Sequence, residues 1–386
     1  MTKSTVVPTC DGSASVYVYE LPPEFNLRLL KDCRHLNIYT DMCPHVANSG
    51  LGQPLSKMGS TSWFATNQFT AEMLFHARVE NHPCRTWDPA RADLFYVPFY
   101  GGLHASSKFG EANLTARDAL AVKLVKEDFL GLHEEEGRWT YFWSQQSPEF
   151  ATCQKHDGAH RGEEPLGGGL RQHGIPYPSY FHPSKSDEML TWQDRMRRSH
   201  RSHLFSFIGN PRKKEVTTKA GVIRDEIIRQ CGESTRCKLV KCVKGKSNCY
   251  SPREVVKVMT SSHFCLQPPG DSFTRRSTFD SFLAGCIPVF FSRHTAYSQY
   301  AWFLPSDPSA YSVYIEGNGT GRVEEVLLKI PRETVQRMHG KVIDMIPTIT
   351  YAHPNKSHSQ FRDAVDVALV ALSKHVESRL QLQKQY

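Results

Sequence analysis

The sequence predicts an α/β protein with parallel sheets, in two units that face a cleft. Three observations carry this. Short β-rich apolar runs alternate with helical segments, the pattern of parallel α/β layering. The alternation occurs in two series that break near residue 200. The chain has 386 residues, and at roughly 100–200 residues per domain that suits two domains or one large one.

The first series opens at SVYVYELPPEF, where Val16-Tyr17-Val18-Tyr19 reads as a strand closed by Pro22-Pro23. Residues 63–80, WFATNQFTAEMLFHARVE, carry apolar side chains at helical spacing and read as one helix. Residues 92–100, ADLFYVPFY, form a short apolar strand ending at Gly101-Gly102. Residues 138–150, RWTYFWSQQSPEF, read as a strand running into a polar loop, and 163–169, EEPLGGG, as loop. Three prolines hold GIPYPSYFHP, residues 174–183, extended. A basic helix, WQDRMRRSHR, then leads into the second series.

That series begins with a strand over 203–208, broken at Gly209-Asn210-Pro211. The helix EVTTKAGVIRDEIIRQC follows. The next helix, SPREVVKVMTSS, has Ser251 as its N-cap and Pro252 at its first position. HFCLQPPG is strand and turn, RRSTFDSFLAG a helix closed by Gly285, and CIPVFF a strand. SQFRDAVDVALVALSKHVESRL, near the end, is a long amphipathic helix. The resulting partition is 1–200, 201–345, and 346–386, with the last helix packing back on the first unit.

Composition narrows the function classes. The chain is 39% apolar and 22% charged, ordinary for a globular protein, and its net charge of +8 leans weakly toward phosphate-bearing ligands. The basic residues are scattered, with no run interleaved with aromatics, so a nucleic-acid surface is not expected. No apolar stretch of about 18 residues is present, and the first fifteen residues lack the hydrophobic region of a signal peptide. A lumenal protein of this sequence would have its targeting segment outside these residues. The 11 cysteines form no C-x-x-C pair, and their scatter fits disulfides in an oxidising compartment. Cys265 and Cys286, inside apolar runs, read as buried thiols. Three N-x-S/T sequons, at Asn113, Asn318 and Asn355, are compatible with the secretory pathway.

The densest chemistry lies in FCLQPPGDSFTRRSTFDSFLAGCIPVFF, Phe264 to Phe291. Ligands of open parallel sheets bind beyond the carboxyl ends of strands, where helix N-termini supply free N–H groups and a positive dipole end. Here the loop Asp271-Ser272-Phe273-Thr274 feeds a helix starting near Arg275. Ser272 and Thr274 suit phosphate oxygens, Arg275 or Arg276 a diphosphate, and Asp280, one to two turns on, a ribose diol. Charges of both signs on a helix are most often a solvated face with surface pairs. The flanking apolar strands and the Pro268-Pro269-Gly270 turn favour a site. Arg212, just past the Gly209-Asn210-Pro211 break, belongs to a second strand-end loop able to reach the same diphosphate.

Taken with SVYVYELPPEFN, DMCPHVANSGLG, WFATNQF, ADLFYVPFY, GIPYPSYFHP, WQDRMR and LFSFIGNPR, this segment resembles the exostosin-like glycosyltransferases, glycosyltransferase family 47. The narrower likeness is to the plant branch that includes xyloglucan galactosyltransferases. It runs from about residue 16 to residue 370. The resemblance implies a GT-B fold, two Rossmann-like domains with the UDP-sugar donor held mainly by the second. It also implies an inverting, metal-independent transfer without a cofactor, galactose being the default sugar and a xylosyl side chain of xyloglucan the acceptor. The absence of any D-x-D in the chain agrees with the metal-free expectation. Galacturonosyl, arabinosyl or xylosyl transfer remains open, as does a silent, glycan-binding partner subunit. An unrelated nucleotide enzyme is disfavoured because no G-x-G-x-x-G opens either series. The resemblance further implies the Golgi lumen, other Golgi glycosyltransferases as companions, and a type II anchor that these residues do not include. By position, Arg212, Arg275 and Arg276 go to the diphosphate, Ser272 and Thr274 to the phosphate loop and Asp280 to the ribose.

Inversion also needs a general base for the acceptor hydroxyl. The first unit offers Glu20, Glu149 and His104 as alternatives to one another. Each could equally be a capping or buried-pair residue. The likeness thins at 140–150, where WSQQSPEF replaces the family's G-R-x-x-W-D-F pattern, and at His104, where an aspartate is common. Both departures lie in the half expected to choose acceptor and sugar.

Overall fold

A computed structural model describes residues 10, 14–126, 140–142, 173–211, 219–242, 249, 251–269, 275–316, 322–355 and 361–383. Two parallel sheets organise it. The first half contributes β1 (Val16–Val18), α1 (Cys43–Val46), α2 (Ala71–Glu80), β2 (Arg85–Thr86), β3 (Leu94–Val97), α3 (Gly101–Ser107), α4 (Leu114–Lys126) and β4 (Thr140–Phe142). α5 (Ser186–Arg198) leads into β5 (His203–Gly209), α6 (Lys219–Glu233), β6 (Cys237–Lys241), α7 (Pro252–Thr260), β7 (Ser262–Gln267), α8 (Arg276–Leu283), β8 (Ile287–Phe290) and β9 (Val313–Tyr314). The chain continues through α9 (Val323–Leu328), α10 (Arg332–Asp344), α11 (Ile346–Ile349) and α12 (Ala364–Gln383).

The sheet orders are β2-β1-β3-β4 and β6-β5-β7-β8-β9, every pair parallel. Both orders reverse direction once, between β1 and β3 and between β5 and β7. Such a reversal opens a crevice beyond the strand ends, because the two outgoing chains leave in opposite directions. The sequences of β3 and β8 are apolar throughout and all four residues of each are buried, as strands covered on both faces require.

One apolar cluster runs from Val16, Val18 and Tyr96 of the first sheet through Phe279 of α8 to Phe264 and Val289 of the second sheet. It includes Ala364, Val365, Ala368, Leu369, Leu372 and Val376 of α12, whose spacing marks one face of that helix. Buried charge reinforces the join. Asp363 caps α12 by accepting from the backbone N–H groups of Val365 (3.1 Å) and Asp366 (3.0 Å), while its other oxygen accepts from Arg78 Nε of α2 at 2.7 Å. Arg78 and Asp363 are both fully buried.

Two expectations are corrected. Residues 63–67 are not helical. Trp63 and Phe64 make antiparallel bridges to Phe181 and Pro54, and Asn67 caps the turn that precedes α2 by accepting from Phe69 N–H. The apolar periodicity there serves the Trp63–Phe181–Trp192 aromatic cluster instead. Cys265 and Cys286 are not free thiols but a disulfide linking β7 to the residue before β8. Their apolar flanks reflect strand burial and say nothing of pairing. Cys10–Cys84, Cys33–Cys43, Cys231–Cys237 and Cys242–Cys249 are the other described disulfides.

Candidate functional site

The crevice of the second sheet lies past β5 and β7, where the charged segment sits. Gln267, the last residue of β7, grips the first turn of α8 reciprocally. Its Oε1 accepts from Ser277 Oγ at 2.6 Å and its Nε2 donates to the Ser277 carbonyl at 3.2 Å. Arg224 of α6 donates to the Pro269 carbonyl at 3.2 Å, fixing the loop where it leaves the strand. At the far end of α8, Gly285 has φ +63°, and a Cβ there would lie 2.8 Å from Arg201 Nη2. Arg201 needs that room. It donates to the carbonyls of Ser262 (2.6 Å) and Ala284 (3.0 Å), so it joins the start of β7 to the end of α8, and burial lowers its pKa to about 10.

Arg275 is the extended N-cap residue of α8 and Arg276 its first helical residue. Arg276 reaches into the first half of the chain. Its Nη1 donates to the Thr66 carbonyl at 2.7 Å, and its guanidinium carbon lies 3.7 Å from the centre of the Tyr180 ring. Asp280 Oδ2 stands 3.4 Å from Arg276 Nε, an ion pair without hydrogen-bond alignment. Nε and Nη2 of Arg276 are buried and make no hydrogen bond among the described residues. Asp280 is 4% exposed, and its Oδ1 accepts from Ser179 Oγ at 2.5 Å. Burial pushes its carboxyl up; the pull of Arg276 and the Ser179 hydrogen bond oppose that. Arg212, Ser272 and Thr274 lie outside the described residues.

The sequence leaves Arg276 and Asp280 both open to a ligand, whereas in the structure they face each other as an ion pair at 3.4 Å. In the fold, Asp280 already spends its oxygens on Ser179 and Arg276. Thr66, Ser179 and Tyr180 are uncharged and carry no local signal in the sequence; the latter two lie in the proline-rich stretch 174–183. The same stretch supplies His182, whose Nδ1–H donates to the Tyr351 carbonyl at 2.7 Å and whose Nε2 lies 2.8 Å from Thr66 Oγ1. Burial lowers His182 to about 4, so it is neutral.

The first sheet's crevice lies past β1 and β3. Glu20 is exposed, two residues beyond β1. His104 sits on α3, beyond β3, and is 8% exposed. Its Nε2 lies 3.0 Å from the Arg117 carbonyl; a carbonyl only accepts, so Nε2 carries the proton and Nδ1 is the basic nitrogen. Burial lowers its pKa, which keeps the ring neutral and able to take a proton. Glu72, unmarked by the sequence, is buried and accepts from the N–H groups of Gly102 (2.7 Å) and Leu103 (3.2 Å), anchoring the helix that carries His104. Glu149 lies outside the described residues.

The Exostosin GT47 domain matches residues 11–139 and 165–330. The chain belongs to the exostosin GT47 family. This GT47 protein is 51% identical over 98% of its length, and 86% of the relative's, to Probable xyloglucan galactosyltransferase GT17 of Arabidopsis thaliana. It is 38% identical to Xyloglucan galactosyltransferase MUR3 of the same plant, over 94% of this chain and 62% of that one. Against Xyloglucan galactosyltransferase XLT2, also of Arabidopsis thaliana, identity is 37% over 93% of this chain and 74% of the relative.

Proposed function

We propose that this GT47 protein transfers galactose from UDP-galactose, with inversion, to a xylosyl side chain of xyloglucan in the Golgi lumen. The observation that carries the reading is the 51% identity, across almost the whole chain, to a protein named a probable xyloglucan galactosyltransferase. The five described disulfides suit an oxidising lumen.

The chemistry follows from the two crevices. The donor diphosphate sits at the α8 N-terminus, where the helix dipole and Arg276 offset its charge as the sugar–phosphate bond breaks. Arg275 and Arg212 flank it, and Ser272 and Thr274 line the loop. Asp280 stands beneath Arg276 on the ribose side. The acceptor hydroxyl attacks the anomeric carbon from the face opposite UDP, and its proton passes to a base of the first half, Glu149, Glu20 or His104. UDP leaves with the electron pair of the broken bond.

A donor screen tests this. Purified protein, galactose-free xyloglucan oligosaccharide and UDP-galactose, UDP-galacturonic acid, UDP-arabinopyranose or UDP-xylose are combined, and product mass is read with and without EDTA. A hexose gain from UDP-galactose alone, indifferent to EDTA, is expected. A product only from another donor reassigns the sugar. Activity lost to EDTA and restored by manganese overturns the metal-free mechanism. UDP binding without any product points either to a different acceptor polymer or to a silent member of the family.

A further inference from the structure

Two of the groups holding Arg276, the Thr66 carbonyl and the Tyr180 ring, come from outside its own helix, and the third, Asp280 of α8, is itself held from outside it. The Tyr180 ring centre lies 3.7 Å from the guanidinium carbon, and Ser179 holds Asp280, the counter-ion of Arg276, at 2.5 Å. Both belong to residues 174–183, the proline-stiffened stretch preceding α5. The stretch is itself pinned. The Tyr180 carbonyl accepts from Phe64 N–H at 2.9 Å, and His182 N–H donates to the Ser62 carbonyl at 2.7 Å. Burial raises the Tyr180 hydroxyl to about 12, so the ring presents a neutral face to the cation. The arginine is thus fixed by a carbonyl, a ring and a carboxylate, while two of its nitrogens make no hydrogen bond among the described residues.

We infer that Ser179 and Tyr180 are positioning residues for the donor diphosphate, holding the Arg276 guanidinium in one orientation at the start of α8. The inference rests on the donor-site reading above. A long arginine left to rotate loses side-chain entropy on binding, and pre-ordering removes that cost. Because Ser179 and Tyr180 are anchored to the first half, the diphosphate contact is set by a segment that the acceptor-side chain holds. Neither residue touches the reacting atoms.

The test measures UDP affinity by calorimetry on the full chain, with melting temperature and the kcat and KM for donor and acceptor alongside. Tyr180→Leu removes the ring and is expected to raise the UDP dissociation constant roughly 3- to 30-fold, the span of cation–π contacts from exposed to desolvated. The donor KM should follow while acceptor KM and melting temperature hold. Tyr180→Phe keeps the ring and restores affinity to within about twofold, since the same contact is retained. Ser179→Ala, a smaller change that guards against misfolding of the leucine variant, should weaken UDP binding as well. If Arg276→Ala weakens UDP but Tyr180→Leu and Ser179→Ala do not, the positioning role is wrong and the donor site stands. A wild-type protein that binds no UDP removes the donor reading and this inference together.

Discussion

At the residue scale, protein partners decide what each charged group can do. Asp280 reads in the sequence as an open carboxylate one to two turns into a helix, yet it is buried and bonded to Ser179. Its raised pKa reflects burial outweighing the attraction of Arg276. The candidate bases differ in the same way. His104 is neutral and fixed through Nε2, whereas Glu20 is exposed. Glu149→Gln is expected to lower kcat by roughly 10²-fold or more, the usual cost of losing a general base, with donor KM unchanged. Near-normal turnover would hand the role to His104 or Glu20, and the same assay on His104→Gln and Glu20→Gln then separates them.

At the element scale, polar contacts tie down both α8 and α12. Gln267 and Arg201 hold the two ends of α8 against β7, so the N-terminus of the helix cannot drift from the strand end it follows. α12 is tied to α2 by Arg78, Asp363 and Asp366, with His82 Nε2 3.1 Å from Asp366. Removing one partner of a buried ion pair leaves the other charge uncompensated, which costs about 3–5 kcal/mol. Asp363→Ala also loses the α12 cap and the Ala352 N–H contact at 2.9 Å. Denaturant unfolding should therefore show a loss of at least that size for Asp363→Ala. A loss under about 1 kcal/mol, the worth of an exposed pair, would mean that solvent reaches the pair.

At the scale of the whole molecule, buried neutral histidines couple stability to pH. Burial lowers His182 and His173 to about 4 and His339 to about 3; His104, His263 and His353 are also lowered. The unfolded chain takes up protons on these rings near pH 6.5, while the folded chain resists until lower pH. Their contribution is therefore present above about pH 6.5 and is lost as pH falls toward 4. His182, almost fully buried, accounts for about 3 kcal/mol of that loss at about 1.4 kcal/mol per pH unit. Melting temperature should fall steeply from pH 7 to pH 5, and less steeply in His182→Gln. Equal slopes in the two proteins would mean that His182 stays solvated.

Much of the protein was legible in the sequence. The alternation of strand and helix set the α/β class, because apolar periodicity reports which face of each element is buried. The strand β7, the helix α8 and the strand β8 were legible in the segment from Phe264 to Phe291, because strand and helix signals are local features. The 192–201 helix and the strand at 203–208 emerged with shifted ends, the structure running them over Ser186–Arg198 and His203–Gly209. Tertiary structure alone decided the rest. The Cys265–Cys286 disulfide spans 21 residues, and Ser179 to Asp280 spans 101. Arg276 to Thr66 spans 210 and Arg78 to Asp363 spans 285. Partners so far apart meet only when the sheets pack, so no spacing rule along the chain announces them. Local propensity names the groups that carry the charge, and packing chooses which of them are already spoken for.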